Sequence, residues 1–200
     1  LGRGDKSQSL SGLMSRLNVL RVHVVDQKSG ESLHVAHQSP SGAIEDLSPA
    51  MLSVAHSIAE GGKTRYSQVL DGGGEGNVIL AVQSRSGTMT VGVVSTNYFV
   101  NLSKSISFGN HGHAAIVDQH GNILAHPNPK WVDQRKNIAA VSAVQRMTKG
   151  ESGIDQFYSP AMEEDMIAGF ASVSGPGWGV MIPQPVSELY GKVQNNYIAI

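Results

Sequence analysis

At 200 residues the chain is long enough for one medium domain or two small ones. Its 15 basic and 16 acidic residues nearly cancel, which leaves no electrostatic case for nucleic acid or anionic lipid as a partner. Cysteine is absent, as suits an oxidising compartment, and no window reaches the apolar length of a membrane span.

Residues 1–17 are polar and rich in Gly and Ser. Leu10, Leu13, Met14 and Leu17 at helical spacing predict the end of a helix there. Alternation then predicts two strands, with Val22 and Val24 on one face of the first and Leu33, Val35 and His37 on one face of the second. Residues 39–48 read as loop. Ser48 is a good N-cap and Pro49 suits the first helical position, where its missing N–H would be unpaired anyway. Met51, Leu52, Ala55 and Ile58 give that helix an apolar stripe, and Gly61-Gly62 should close it. Residues 64–70, 78–84 and 88–97 alternate as strands. The glycine-rich run Gly72–Asn77 between two of them is a hairpin loop and not a phosphate cradle, which needs a helix behind it.

Phe99, Leu102 and Ile106 predict a connecting helix over 99–109. Ala114 to Asp118 and Ile123 to His126 then form a hairpin about a Gly turn. A helix opened by Asn137, striped by Ile138, Val141, Val144 and Met147, should end at Gly150. Strands follow near 154–158, 166–174 and 177–182, with Gly175-Pro176-Gly177 as a turn. Pro183 and Pro185 should stop the sheet, and Val186 to Val193 should start a closing helix.

The two halves repeat. Val24-Val25-Asp26-Gln27-Lys28-Ser29-Gly30 is echoed by Ile116-Val117-Asp118-Gln119-His120-Gly121, and a helix and three strands follow each. An offset of about 90 residues is too long for a solenoid unit and fits two small domains of one topology in tandem. The predicted fold is therefore α+β: two tandem PAS-like subdomains, each a five-stranded antiparallel sheet packed with helices, preceded by an N-terminal helix.

The run Gly112-His113-Ala114-Ala115-Ile116-Val117-Asp118-Gln119-His120-Gly121-Asn122-Ile123-Leu124-Ala125-His126-Pro127 resembles the membrane-proximal half of a double Cache domain. Gly177-Trp178-Gly179-Val180 with Gln184-Pro185 is similar to that family's closing strand and exit, and Gly92-Val93-Val94 to its usual final strand in the first half. The resemblance spans 18–195. It implies the extracytoplasmic sensor of a bacterial membrane receptor (histidine kinase, diguanylate cyclase or chemoreceptor) in the periplasmic or extracellular part of an inner-membrane protein. The implied organisation is a membrane-distal subdomain over 18–98 that binds a small molecule and a membrane-proximal one over 110–195. Residues 196–200 would begin a membrane-entering segment joined to the rest of the receptor, with a homodimer as the signalling form. Amino-acid-binding members carry a cation and aromatics at the start of the first-half helix, and an Asp near the end of the last first-half strand. Here Ser48-Pro49-Ala50-Met51 and Asn97 hold those places, so an α-amino acid is not the expected ligand.

Polar residues predicted on apolar faces nominate the ligand-binding set His37, Met51, Tyr66, Gln68 and Asn97. No catalytic residue, metal ligand or cofactor site is assigned. Serines lack a nucleophile elbow, Glu163-Glu164-Asp165 reads as a solvated acidic turn, and enzymatic activity is not expected. His111 and His113 straddle one Gly and would share a strand face, but a closed metal site needs further ligands. Trp178 reads as a core aromatic, and Asp26 and Asp118 as turn-forming carboxylates. The alternatives are an ectodomain with no ligand, serving structure or partner binding, and a metal-dependent extracytoplasmic enzyme.

Overall fold

The computed structural model of the chain describes residues 11–37, 46–108, 112–159 and 162–190. Expectations for residues 1–10, the 39–45 part of the loop, His111 and everything beyond 190 lie outside them. The chain divides into two compact units, Leu1–Tyr98 and Phe99–Ile200.

In the first unit β1 (Val19–Asp26) and β2 (Ser32–His37) form a hairpin, and α1 (Pro49–Ile58) follows. Then come β3 (Arg65–Tyr66), β4 (Leu70–Asp71), a single 3-10 turn at Gly73–Glu75, β5 (Asn77–Arg85) and β6 (Thr88–Ser95). The sheet order is β2-β1-β6-β5-β3, with β4 also on β5, and every pairing is antiparallel. α1 starts where its cap chemistry requires: Ser48 Oγ accepts the Met51 N–H at 3.2 Å and Pro49 opens the first turn. It ends at Ile58, short of Gly61-Gly62, which instead take left-handed φ in the turn beyond. Met51 and Ala55 are its buried residues. They pack with Val25, Val78, Leu80, Val82, Met89, Val91 and Val93 into one core. Fully burying each of the larger ones contributes roughly 1.5–3 kcal/mol.

The second unit repeats the plan with different elements. α2 (Asn97–Ser105) bridges into it. Its strands are β7 (Ser107–Phe108), β8 (Gly112–His113), β9 (Ala115–Val117), β10 (Ile123–Ala125), β11 (Gly153–Ser159), β12 (Glu164–Val173) and β13 (Trp178–Pro185). Two short helices, α3 (Pro129–Asp133) and α4 (Ser142–Met147), lie between β10 and β11. The sheet order β10-β9-β13-β12-β11 is that of the first unit with strands renumbered, as the repeated turn predicted. Asp26 and Asp118 hold equivalent turns. Asp26 Oδ1 accepts the N–H groups of Lys28 and Ser29 at 2.9 and 2.8 Å, and Asp118 Oδ1 those of His120 and Asn122 at 2.8 and 3.0 Å.

Three local expectations are corrected and one helix is added. Residues 64–70 form two short strands and not one: at Ser67 the backbone N–H still donates to Leu80 O, but the Leu80 N–H goes to the Ser67 hydroxyl at 2.9 Å, which interrupts the ladder. Asn137 opens no helix. Its Nδ2 donates to His120 O and to Asn122 Oδ1, both at 2.9 Å, which ties that segment to the Asp118 turn, and α4 begins only at Ser142. α3 was unforeseen; Asn128 caps it by accepting the Lys130 N–H at 3.0 Å, with Pro129 in its first turn. Pro183 and Pro185 do not stop the sheet. β13 pairs with β12 as far as Pro185, while its ladder to β9 ends at Met181, so prolines that cannot donate are tolerated on that side.

Candidate functional site

The inward face of β1 carries its polar residues. Register sets Val91 opposite His23, Val93 opposite Arg21 and Met89 opposite Val25, so β1 sends Arg21, His23 and Val25 into the core. Val22 and Val24 lie half-buried on the other face, whereas Arg21 is 3% and His23 0% exposed. On β2 the partners of Arg21 and His23 are His37 and Val35, which places His37 beside them on the same face. Three basic side chains thus interrupt a face otherwise built of valine, leucine and methionine.

Arg21 Nη1 pairs with Glu75 Oε1 from the 3-10 turn before β5. His23 Nδ1 reaches Ser32 Oγ only at 3.4 Å. Among the described residues, His23 Nε2, His37 Nε2 and Glu75 Oε2 are buried with no hydrogen-bond partner. Burial first, then the Arg21 charge, push the His23 pKa down to about 4, with Asp46 opposing and His37 reinforcing the shift. His23 is therefore a neutral imidazole at physiological pH. Ser32 also lines a solvent-open cleft of about 390 Å³ with Gly30, Glu31, Asp46, Leu47 and Leu52, so the polar cluster and the cleft share a residue. A buried imidazole nitrogen without a partner costs about 1–3 kcal/mol, and a bound molecule or ordered water relieves that cost.

The five nominated residues fare differently. His37 lies on the core face by register, and Met51 is buried in the core against that face. Tyr66 is half-buried, but its register partner is Ala81, on the face opposite His23. Gln68 and Asn97 are exposed, contrary to the inward parity assigned to them. The break at Ser67 makes Ser67 and Val69 the buried positions of that segment, and Asn97 is already in α2 because β6 ends at Ser95. Arg21, His23 and Glu75 went unrecognised. The signal was Arg21 and His23 at alternate positions inside an apolar run.

In the second unit, His113 Nε2 and His126 Nε2 stand 2.9 Å apart and Trp131 stacks on His126 with ring centroids 4.5 Å apart. Among the described residues no group of three His, Asp or Glu side chains is placed to hold a metal. Trp178 meets Phe99 edge-on at 5.4 Å, as a core aromatic does.

Two antiparallel five-strand ladders of one order, each with helices on a face, define a tandem PAS-like α+β protein. The Cache domain profile matches residues 48–193, and the chain belongs to that family. Solved structures agree. The extracellular domain of the putative histidine kinase mmHK1S-Z2 superposes with a TM-score of 0.70 at 15% identity, covering 94% of this chain and 83% of that one. The periplasmic sensory domain of the Campylobacter jejuni chemoreceptor Tlp1 gives 0.68 at 12%, covering 95% and 81%. The ligand-binding domain of the Pseudomonas aeruginosa amino acid chemoreceptor PctB, in complex with L-Arg, gives 0.58 at 19%, covering 94% and 86%. At these identities the likeness establishes the fold, which is that of sensory domains of histidine kinases and chemoreceptors. No curated protein sequence matches the chain. Among the described residues no helix is long and apolar enough to cross a membrane.

Proposed function

We propose that the chain is the extracytoplasmic sensing part of a membrane-spanning receptor and that its work is binding, not catalysis. Residues 18–98 form the membrane-distal subdomain, which binds a small polar molecule. Residues 110–195 form the membrane-proximal one, which relays the bound state, in a homodimer, by shifting the population between two packings. The observation that carries the ligand reading is the pair of buried, unpartnered imidazole nitrogens on His23 and His37. An ectodomain with no ligand would need its inward polar groups to satisfy one another, and His23 Nε2 and His37 Nε2 are not satisfied among the described residues. The proposed set keeps His37 and Met51, adds Arg21, His23 and Glu75, and leaves out Gln68 and Asn97 as solvent-facing and Tyr66 as belonging to the opposite face.

An α-amino acid is disfavoured. Ser48 spends its hydroxyl on the α1 cap, and Arg21, the cation of the face, is engaged by Glu75. A zwitterion would have to break that pair or go without charge-assisted contacts, each about 1.5–3 kcal/mol. The test is a thermal-shift screen of the purified chain against small metabolites, followed by calorimetry. A true ligand at 100 times its Kd adds about 2.7 kcal/mol. The response should vanish in His37→Gln and persist in Gln68→Ala and Asn97→Leu. Loss in Asn97→Leu with retention in His37→Gln would move the site. Micromolar binding of any free α-amino acid would overturn the ligand-class reading.

A further inference from the structure

We propose that the His113–His126 pair makes the second unit a proton sensor in its own right, a latch that holds the cap of α3 while both imidazoles are neutral and releases it when either gains a proton. This rests on geometry within residues 99–200 and is independent of the ligand reading of the first unit.

The hydrogen bonds leave one arrangement of protons. His126 Nδ1 lies 2.9 Å from the backbone nitrogen of Asn128, and a backbone N–H can only donate, so Nδ1 is the bare acceptor. Neutral His126 therefore carries its proton on Nε2. That atom faces His113 Nε2 at 2.9 Å, so His126 donates, His113 accepts, and the His113 proton sits on Nδ1. Asn128 is in turn the N-cap of α3, its Oδ1 accepting the Lys130 N–H at 3.0 Å. The chain of contacts runs from β8 through His113, His126 and Asn128 to the first turn of α3.

A further proton has nowhere to go without breaking a link. On His126 it must take Nδ1, which expels the Asn128 N–H. On His113 it must take Nε2, which sets two N–H groups face to face. The surroundings sharpen the response. His126 is 8% exposed, Trp131 from α3 stacks on it, and Lys136 Nζ lies 3.9 Å from the centre of the Trp131 ring. Burial, then His113, then Lys136 hold the His126 pKa down at about 4, and among the described residues no carboxylate offsets them. A charge arriving on His126 meets no raising carboxylate among the described residues, so the packing has to yield.

The same tautomer argues against a metal ion between the two rings. A ligating imidazole presents a lone pair to the metal and usually donates through its other nitrogen. His126 does the reverse on both counts.

The test is backbone hydrogen exchange of the whole chain at pH 7.5 and pH 4.5, corrected for intrinsic rates, in wild type, His113→Gln and His126→Gln. In wild type, protection of the Lys130–Gln134 amides should fall about tenfold or more on acidification while β12 is unchanged. In His126→Gln, which keeps hydrogen-bonding capacity but has no titrating nitrogen facing Asn128, that differential fall should disappear, whereas in His113→Gln, where His126 still titrates, it should persist. Unchanged β12 protection at both pH values in each variant guards against loss of the fold. Long-range nitrogen–proton NMR at pH 7.5 should report a bare Nδ1 on His126. The proposal is overturned by an Nδ1–H tautomer there, by an equal fall in His126→Gln, by no fall in wild type, or by Zn²⁺ binding at neutral pH that perturbs both imidazoles.

Discussion

Individual side chains carry the chemistry of this protein, and the most consequential are polar groups set where apolar ones would be more stable. His23 is fully buried with one nitrogen unpartnered among the described residues. Replacing it by leucine of similar bulk should therefore stabilise the unliganded protein by about 1 kcal/mol, read as a rise in urea midpoint, while removing the ligand response. A drop in stability would mean that the Ser32 contact at 3.4 Å matters more than its length suggests. Asp118 is the opposite case. It is fully buried and accepts three hydrogen bonds from His120 and Asn122, so Asp118→Leu strands three donors. A loss of about 2–4 kcal/mol is expected in denaturant unfolding, and a loss below 1 kcal/mol would show that water replaces the carboxylate.

At the level of elements, close packing decides which sequence changes are tolerated. Gly179 of β13 lies against the fully buried Met147 of α4; an added Cβ would come within 2.3 Å of the Met147 sulfur. Gly179→Ala should cost about 1–3 kcal/mol by overpacking, and Met147→Ala in the same chain should recover part of that loss. Additive losses would show that the contact is not the cause. Removing the α1 cap with Ser48→Ala should cost about 0.5–2 kcal/mol without changing the denaturant slope. The short elements follow another rule. α3 has five residues, too few for a stripe to be read from the sequence, and it exists because Asn128, Pro129 and the Trp131–His126 stack hold it.

Stability of the whole molecule should depend on acid in a defined window. His23 and His126 are both held at about pKa 4 in the folded chain, below the ordinary histidine value of 6.5. The unfolded chain thus binds more protons between those limits. Their contribution is complete above pH 6.5, declines as pH falls toward 4, and does not change further below that. Asp26 acts lower: the Ser29 and Lys28 N–H groups hold its carboxyl below the usual range, so its contribution is lost as pH falls through that depressed value. The melting temperature should accordingly drop between pH 6.5 and 4. A double variant, His23→Gln with His126→Gln, should flatten most of that slope; an unchanged slope would put the proton uptake elsewhere.

The sequence alone determined the repeat, the antiparallel sheet with helices in each half, the Ser48 cap and the two Asp turns, because each is written in residues close together in the chain. Family membership was legible for the same reason, in the contiguous run from Gly112 to Pro127. Which face of β1 turns inward was not. Local hydrophobicity favours Val22 and Val24 for the core, yet the structure turns Arg21, His23 and Val25 inward. The face was settled by pairing to β6, by the bulge between Val24 and Val25 on the β2 side, and by Glu75, which lies 54 residues away and neutralises Arg21. Gln68 and Asn97 were misplaced for a related reason: a break at Ser67 and a strand end at Ser95 each reset the parity that counting by two had carried forward. The histidine latch belongs to the tertiary structure entirely, since 13 residues separate His113 from His126 and only the fold brings their nitrogens face to face.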